Sequence, residues 1–200
     1  MDEKELVRKA QVGDFDAFGK LVDLHKAKVY AALRRLTGND QDAEDLLQDT
    51  FLKAIDKIDQ FRGEASFGTW LTAIALNEAR ALFARSKQAE LKPVEAYLPV
   101  DGRGGEHNHE SFRLFDWQDP HRVLEADELK RIIDQVIGEL PFKYREAFVL
   151  RYIEELPVKE VAGLTGQTEA SAKSRILRAR LALIERLSQI FEAEYEQRMS

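Results

Sequence analysis

"LPVKEVAGLTGQTEASAKSRILRARLAL", residues 156–183, decides how this chain is read. Its first part is short and amphipathic, with Val158, Val161, Ala162 and Leu164 returning at helical spacing. Gly166 marks a tight turn, and Thr168 stands where the cap of a following helix belongs. Gly163, inside the first helix, should weaken it by ~1 kcal/mol relative to alanine. The segment after the turn packs Lys173, Arg175, Arg178 and Arg180 close together in a chain whose formal net charge is −6. On a helix turning about 100° per residue, Ile176, Leu177, Leu181, Leu183, Ile184 and Leu187 are expected on the buried side. Ser171, Ser174, Arg175 and Arg178 fall opposite them, with Lys173 and Arg180 on the flanks. A basic stripe alone would be a solvated face. Preceded by a short helix and a glycine turn, it has the spacing of a helix-turn-helix, whose second helix enters the major groove. Serine and arginine there can meet phosphates or base edges, and arginine can hold guanine with two hydrogen bonds.

The rest of the chain is consistent with a helical, soluble protein. Apolar residues make up 44% and charged residues 33% of 200, enough for a sizeable core. No uninterrupted run of about eighteen apolar residues occurs, so no membrane insertion is expected. The start, "MDEKELVRKAQVGD", lacks the apolar centre of a secretory signal. Cysteine is absent, which removes disulfides, thiolate metal sites and cysteine nucleophiles and suits a reducing cytoplasm. A pI near 5.4 argues against indiscriminate coating of nucleic acid, but a local basic face remains effective because screening acts within ~8–10 Å.

Helical periodicity predicts helices near 2–11, 14–36, 40–59 and 67–87, with Asp14, Asp40 and Ser66 as N-caps and "TGND" at 37–40 as a break. Residues 90–120 lose the periodicity and carry Pro93, Pro99, Gly102, Gly104, Gly105 and Pro120, which reads as a linker. A second set is expected at 121–138, 141–154, 157–164 and 168–195, with Pro141 and Pro157 suited to first turns. The fold class is therefore all-α, two small helical domains over 1–89 and 121–200 joined by an irregular linker.

In "DQDAEDLLQDTFLKAIDKID", residues 40–59, Leu46, Leu47, Phe51, Ala54, Ile55 and Ile58 form the expected buried stripe. Asp45, Asp49 and Asp56 cluster nearly opposite, around Leu52 and beside Gln48. A leucine ringed by carboxylates resembles a small interface with an apolar centre and a polar rim; the alternative is a solvated acidic face. A calcium loop on Asp40, Asp42 and Glu44 fails, because Asp45 and Phe51 stand where the loop requires glycine and glutamate. Next, Phe61, Phe67 and Trp70 flank a loop at 62–66, followed by a helix with Asn77, Arg80, Arg85 and Lys87. Aromatics beside a cationic track suit single-stranded nucleic acid. Phe67 and Trp70 read as core, so the polar groups of the loop are the better candidates to read a flipped base.

No enzyme site emerges: there is no phosphate-binding glycine loop and no serine elbow. His107, His109 and His121 lack a clear fourth ligand, so no metal and no cofactor are expected.

Two stretches resemble a known family. "DAEDLLQDTFLKAIDKIDQFRGEASFGTWLTAIALNEAR", residues 42–80, is similar to the second conserved region of bacterial sigma factors. "LPFKYREAFVLRYIEELPVKEVAGLTGQTEASAKSRILRARLAL", residues 140–183, is similar to the fourth. With only these two regions and a linker, the chain resembles the extracytoplasmic-function group. That resemblance implies a dissociable subunit of RNA polymerase that is not itself an enzyme. Asp45, Gln48, Asp49 and Leu52 would dock on the clamp helices of the largest polymerase subunit. Phe61, Arg62, Gly63, Glu64 and Ser66 would hold a base flipped from the −10 element, with Asn77, Arg80 and Arg85 along that segment. Ser171, Lys173, Ser174, Arg175 and Arg178 would face the −35 element, with Arg151 and Lys159 near its phosphates. The linker would thread toward the active-site cleft, and an anti-sigma factor would sequester the free protein. The competing reading from the residues alone is a stand-alone helix-turn-helix regulator; a third is a helical adaptor without a DNA role.

Overall fold

A computed structural model describes residues 2–85 and 126–199, and all regular structure among them is helical. The linker expected at 90–120 and the histidines at 107, 109 and 121 lie outside the described residues. The order is α1 (Glu3–Gln11), α2 (Phe15–Thr37), α3 (Asp40–Lys57), a 3-10 turn (Ile58–Gln60) and α4 (Phe67–Arg85). After the linker come α5 (Ala126–Glu139), α6 (Phe142–Phe148), a π turn (Val149–Ile153), α7 (Val158–Thr165) and α8 (Glu169–Met199).

Local chemistry explains most of the boundaries. The Asp14 side chain accepts from the Ala17 N–H and starts α2, as expected. Gly38, at φ 74°, closes α2 in the left-handed conformation that glycine adopts without cost. Asp40 is not the cap of α3. Asn39 takes that role, because its backbone is extended and its Oδ1 accepts from the N–H groups of Gln41 and Asp42. Asp40 is thereby free to accept from Tyr30 and Arg34 on α2. The helix predicted at 141–154 is broken: α6 stops at Phe148, and the π turn carries the chain to Glu154. Glu155 then turns the chain at φ 58°, a left-handed conformation that costs a non-glycine residue on the order of 1 kcal/mol.

In the first group α2 packs on α1, α3 and α4, burying Leu21, Leu33, Leu71 and Leu76 almost completely. Each such side chain contributes roughly 1.5–3 kcal/mol. In the second group α8 lies against α5, α6 and α7 over Val136, Leu150, Val161 and Ile176. The two groups are joined by α2, which touches α5, α6 and the π turn. Arg145 sits at that junction, buried, on α6. Its guanidinium donates to Leu36 O at 2.6 Å, in the last turn of α2, and to Leu140 O and Gly138 O at the end of α5. One cation thus satisfies the terminal carbonyls of two helices and the negative ends of their dipoles. Burial pulls its pKa down to about 10, so it remains charged at neutral pH. The guanidinium carbon lies 5.5 Å from the Phe83 ring centroid, and Phe83 stacks on Phe142 at 4.5 Å, which extends the junction with apolar contact.

Replacing Arg145 by Met should lower unfolding stability by about 2–3 kcal/mol, because charged hydrogen bonds are lost and carbonyls are left bare. Arg145→Lys should recover only part of this in chemical denaturation, since a point charge cannot reach both helix ends. A Cβ at Gly19 or Gly163 meets nothing within 4 Å. Alanine at either helical site should therefore raise stability by about 0.5–1 kcal/mol. At Gly68 a Cβ would meet His25 at 3.3 Å. There the same substitution should show a smaller gain or a loss in melting temperature.

Candidate nucleic-acid interface

The helix-turn-helix forms as expected. Gly166 takes φ 66° after α7, and the Gln167 N–H reaches back to Ala162 O at 2.8 Å, closing the turn. Thr168 caps α8 by accepting from the Ser171 N–H. The buried face of α8 differs from the expected one. Ala172, Ile176, Ala179, Ala182 and Leu183 are buried, whereas Leu177 is 55% and Ile184 38% exposed. Small alanines let α8 approach α6 and α7 closely, and this turns Leu177 and Ile184 outward. Leu177 consequently stands on the outer face with Lys173, Ser174, Arg178 and Arg180, all exposed. Sequence periodicity missed it because a leucine scores as core wherever the apolar stripe is wide. Ser171 is partly committed, donating to Gln167 Oε1 at 2.6 Å. Lys159 is exposed at the start of α7. Arg151 is half-buried, donating to Leu156 O and lying over the Tyr152 ring.

On α3, Asp45, Gln48, Asp49 and Leu52 share one exposed face, and Leu52 is 62% exposed. The opposite face buries Leu46 and Ala54 of the expected stripe together with Ala43 and Thr50, which lay outside it, while Leu47, Phe51 and Ile55 are only partly buried at its edges. The loop between the 3-10 turn and α4 has a rigid base and an open tip. Phe61, Phe67 and Trp70 form an aromatic cluster with centroids 5.3–5.5 Å apart, and Phe67 is fully enclosed. Gln11 on α1 donates to Ile58 O and Phe61 O at 3.0 and 2.9 Å, fastening the loop's entry to another helix. No motif points to that glutamine. Arg62, Gly63, Glu64 and Ser66 are exposed. The Ser66 hydroxyl accepts from the Thr69 N–H, so it caps α4 as predicted while also facing solvent. Phe61, half-buried within the cluster, supports the loop from below.

Along α4, Asn77 and Arg85 are exposed, but Arg80 is not a free cation. Its Nε donates to Glu146 Oε2 on α6 at 2.9 Å. Arg175, expected on the outer face of α8, also turns to Glu146, with Nη1 3.6 Å from Oε1. The two cationic tracks therefore converge on one carboxylate that is nearly sealed from solvent, with 6% of its side chain exposed. Burial pushes the Glu146 carboxyl above its ordinary value, against the opposing pull of Arg80 and Arg175. A second glutamate, Glu154, eight residues further along the chain, is also buried and meets Lys28 at 3.2 Å and Thr72 at 3.4 Å. Among the described residues no three His, Asp or Glu side chains gather as a metal site, and no helix is long and apolar enough to cross a membrane.

The chain as a whole is similar to known proteins. The chain matches the Sigma-70 region 2 family over residues 21–89 and the Sigma-70, region 4 family over residues 130–183. It is 34% identical over 185 residues to the ECF RNA polymerase sigma factor SigW of Bacillus subtilis (strain 168), spanning 92% of this chain and 96% of that protein. It is likewise 34% identical to the RNA polymerase sigma-H factor of Pseudomonas aeruginosa, over 90% of this chain and 91% of the other. Among solved structures it is similar to CnrH in complex with the cytosolic domain of CnrY, with a TM-score of 0.62 at 26% identity over 96% and 97% of the two chains. RpoE in complex with the anti-sigma factor NepR from Bartonella quintana shares the fold, with a TM-score of 0.59 at 24% identity, covering 86% and 96%. The helix-turn-helix, the acidic helix face and this agreement along nearly the whole chain place it in the extracytoplasmic-function family of RNA polymerase sigma factors.

Proposed function

We propose that this sigma factor divides its work between residues 1–89 and 121–200, with residues 90–120 as the connection. The first part docks on core RNA polymerase through Asp45, Gln48, Asp49 and Leu52, a carboxylate ring around an apolar centre that fits a basic helical surface. Its loop tip, Arg62, Gly63, Glu64 and Ser66, receives a base extruded from the −10 element. The aromatic cluster and Gln11 fix the entry to that loop, which lowers the ordering cost of binding. Extrusion costs a few kcal/mol, which contacts to the base edge must offset. Asn77, Arg80 and Arg85 follow the backbone of the same segment.

The second part reads the −35 element through Lys173, Ser174, Arg175 and Arg178, with Ser171 beside them and Arg151 and Lys159 near phosphates. Leu177, exposed on the same face, supplies an apolar surface for contact with a thymine methyl group. Two modest DNA contacts tethered through polymerase gain effective concentration, while the overall charge of −6 keeps the free protein off nonspecific DNA. The protein performs no covalent step itself and works in the cytoplasm, where a sequestering anti-sigma partner sets its availability. A stand-alone regulator has no need of the acidic Leu52 face.

The observation that carries this reading is the exposed leucine ringed by carboxylates on a chain that also presents a cationic helix-turn-helix. Sizing chromatography with sigma-free core polymerase tests it. The native chain should co-elute with core, and the folded Asp49→Lys/Leu52→Ala variant should not. Co-elution of both, or of neither, would refute the assignment of that face.

A further inference from the structure

We propose that Glu146 is an internal competitor for DNA: its carboxylate holds Arg80 across the junction, so packing of the two helical groups and DNA engagement by Arg80 exclude each other, while Arg175, in the same helical group as Glu146, is drawn from DNA by the same carboxylate. The inference rests on the reading of Arg80 and Arg175 as DNA contacts.

Arg80 belongs to α4 and Arg175 to α8, the helices proposed to follow the −10 segment and to enter the −35 element. Both guanidinium groups turn to the same side chain on α6, at 2.9 and 3.6 Å. Carboxylate and phosphate compete for the same fork of N–H donors, and a guanidinium holding one through Nε cannot offer that donor to the other. Asn77 is drawn in as well, because its Oδ1 accepts from Arg80 Nη1 at 3.4 Å.

A second acid on the same segment reinforces the closure. Glu154 faces Lys28 on α2 and Thr72 on α4, again across the junction. In an unbroken α-helix, eight residues would leave the Glu146 and Glu154 side chains about 80° apart. The π turn at Val149–Ile153 takes in an extra residue and reduces that offset to about 20°. The break in the helix therefore aims both carboxylates at the first helical group.

The latch is built to open. Arg80 Nη2 and Glu154 Oε1 are buried without a hydrogen-bond partner, which taxes the closed arrangement. Lys28 remains 60% exposed, so its pairing is weak. A ligand that binds only the open arrangement then shifts the population toward it, and its apparent dissociation constant is raised by the closed fraction.

The chain has no cysteine, so Lys57→Cys and Glu185→Cys supply a unique pair of exposed thiols for dye labelling, one on each helical group. Energy transfer in the full-length protein reports closure. Fluorescence anisotropy with a forked, mixed-sequence DNA at about 50 mM salt reports binding. Glu146→Gln should lower the transfer and tighten DNA binding by ~5–20-fold. Glu128→Gln, an exposed glutamate with the same change of charge, should alter neither. Lys28→Glu should also lower the transfer and tighten binding. Because it makes the chain more negative, a gain there comes from opening and not from charge. Unchanged transfer in both Glu146→Gln and Lys28→Glu would overturn the latch. Lower transfer without tighter binding would overturn Glu146 as a competitor. If neither native protein nor variants bind the DNA while transfer still responds, the DNA role of the two arginines fails, and the inference with it.

Discussion

A helix that ends inside a protein leaves carbonyl groups that water cannot reach, and in this chain one guanidinium meets that demand for two helices. Arg145 caps α2 from the first helical group and α5 from the second, so the register between the groups follows from hydrogen bonds with fixed directions. Apolar contact alone would allow sliding. Phe83 against Phe142 adds attraction at the same place without specifying the position as narrowly. The next residue, Glu146, carries the opposite charge into the same seam and fixes which cations face inward. Two adjacent residues of one short helix thereby set both the geometry and the electrostatics of the junction.

The two charges behave differently because their partners differ. Arg145 is surrounded by carbonyl dipoles that belong to the fold and have nowhere else to turn, so its contacts persist wherever α2 and α6 meet. Glu146 is matched by arginines that nucleic acid also attracts. Burial raises its carboxyl above the ordinary value against their opposing pull, so the pairing carries a desolvation cost. Buried charge of this kind contributes little to net stability while making the arrangement sensitive to competing anions.

The placement of many candidate residues was legible because it obeys local rules. The carboxylate ring around Leu52 follows from helical spacing within α3, and the structure leaves all four residues exposed. Thr168, Gly166 and the cationic run of α8 sit where turn and capping chemistry put them. Gln11 was not legible, since its value lies in reaching carbonyls nearly fifty residues away. The outward turn of Leu177 was hidden for a related reason. Alanines at 172, 179 and 182 win the buried face through close approach to neighbouring helices, a property that a hydrophobicity scale does not register.

The sequence by itself determined the helices, most of their caps, the helix-turn-helix and the two oppositely charged faces, because each depends on residues within a few turns of one another. Tertiary structure alone decided that Arg80 and Arg175 face a shared carboxylate and that Arg145 joins two helix ends. It also decided that a π turn aims Glu154 at the same seam as Glu146. Those pairings span long stretches of chain, and an arginine is equally compatible with water, phosphate or a buried glutamate. Which of these it meets is settled by what the folded chain brings within about 3–4 Å and how far it excludes solvent there.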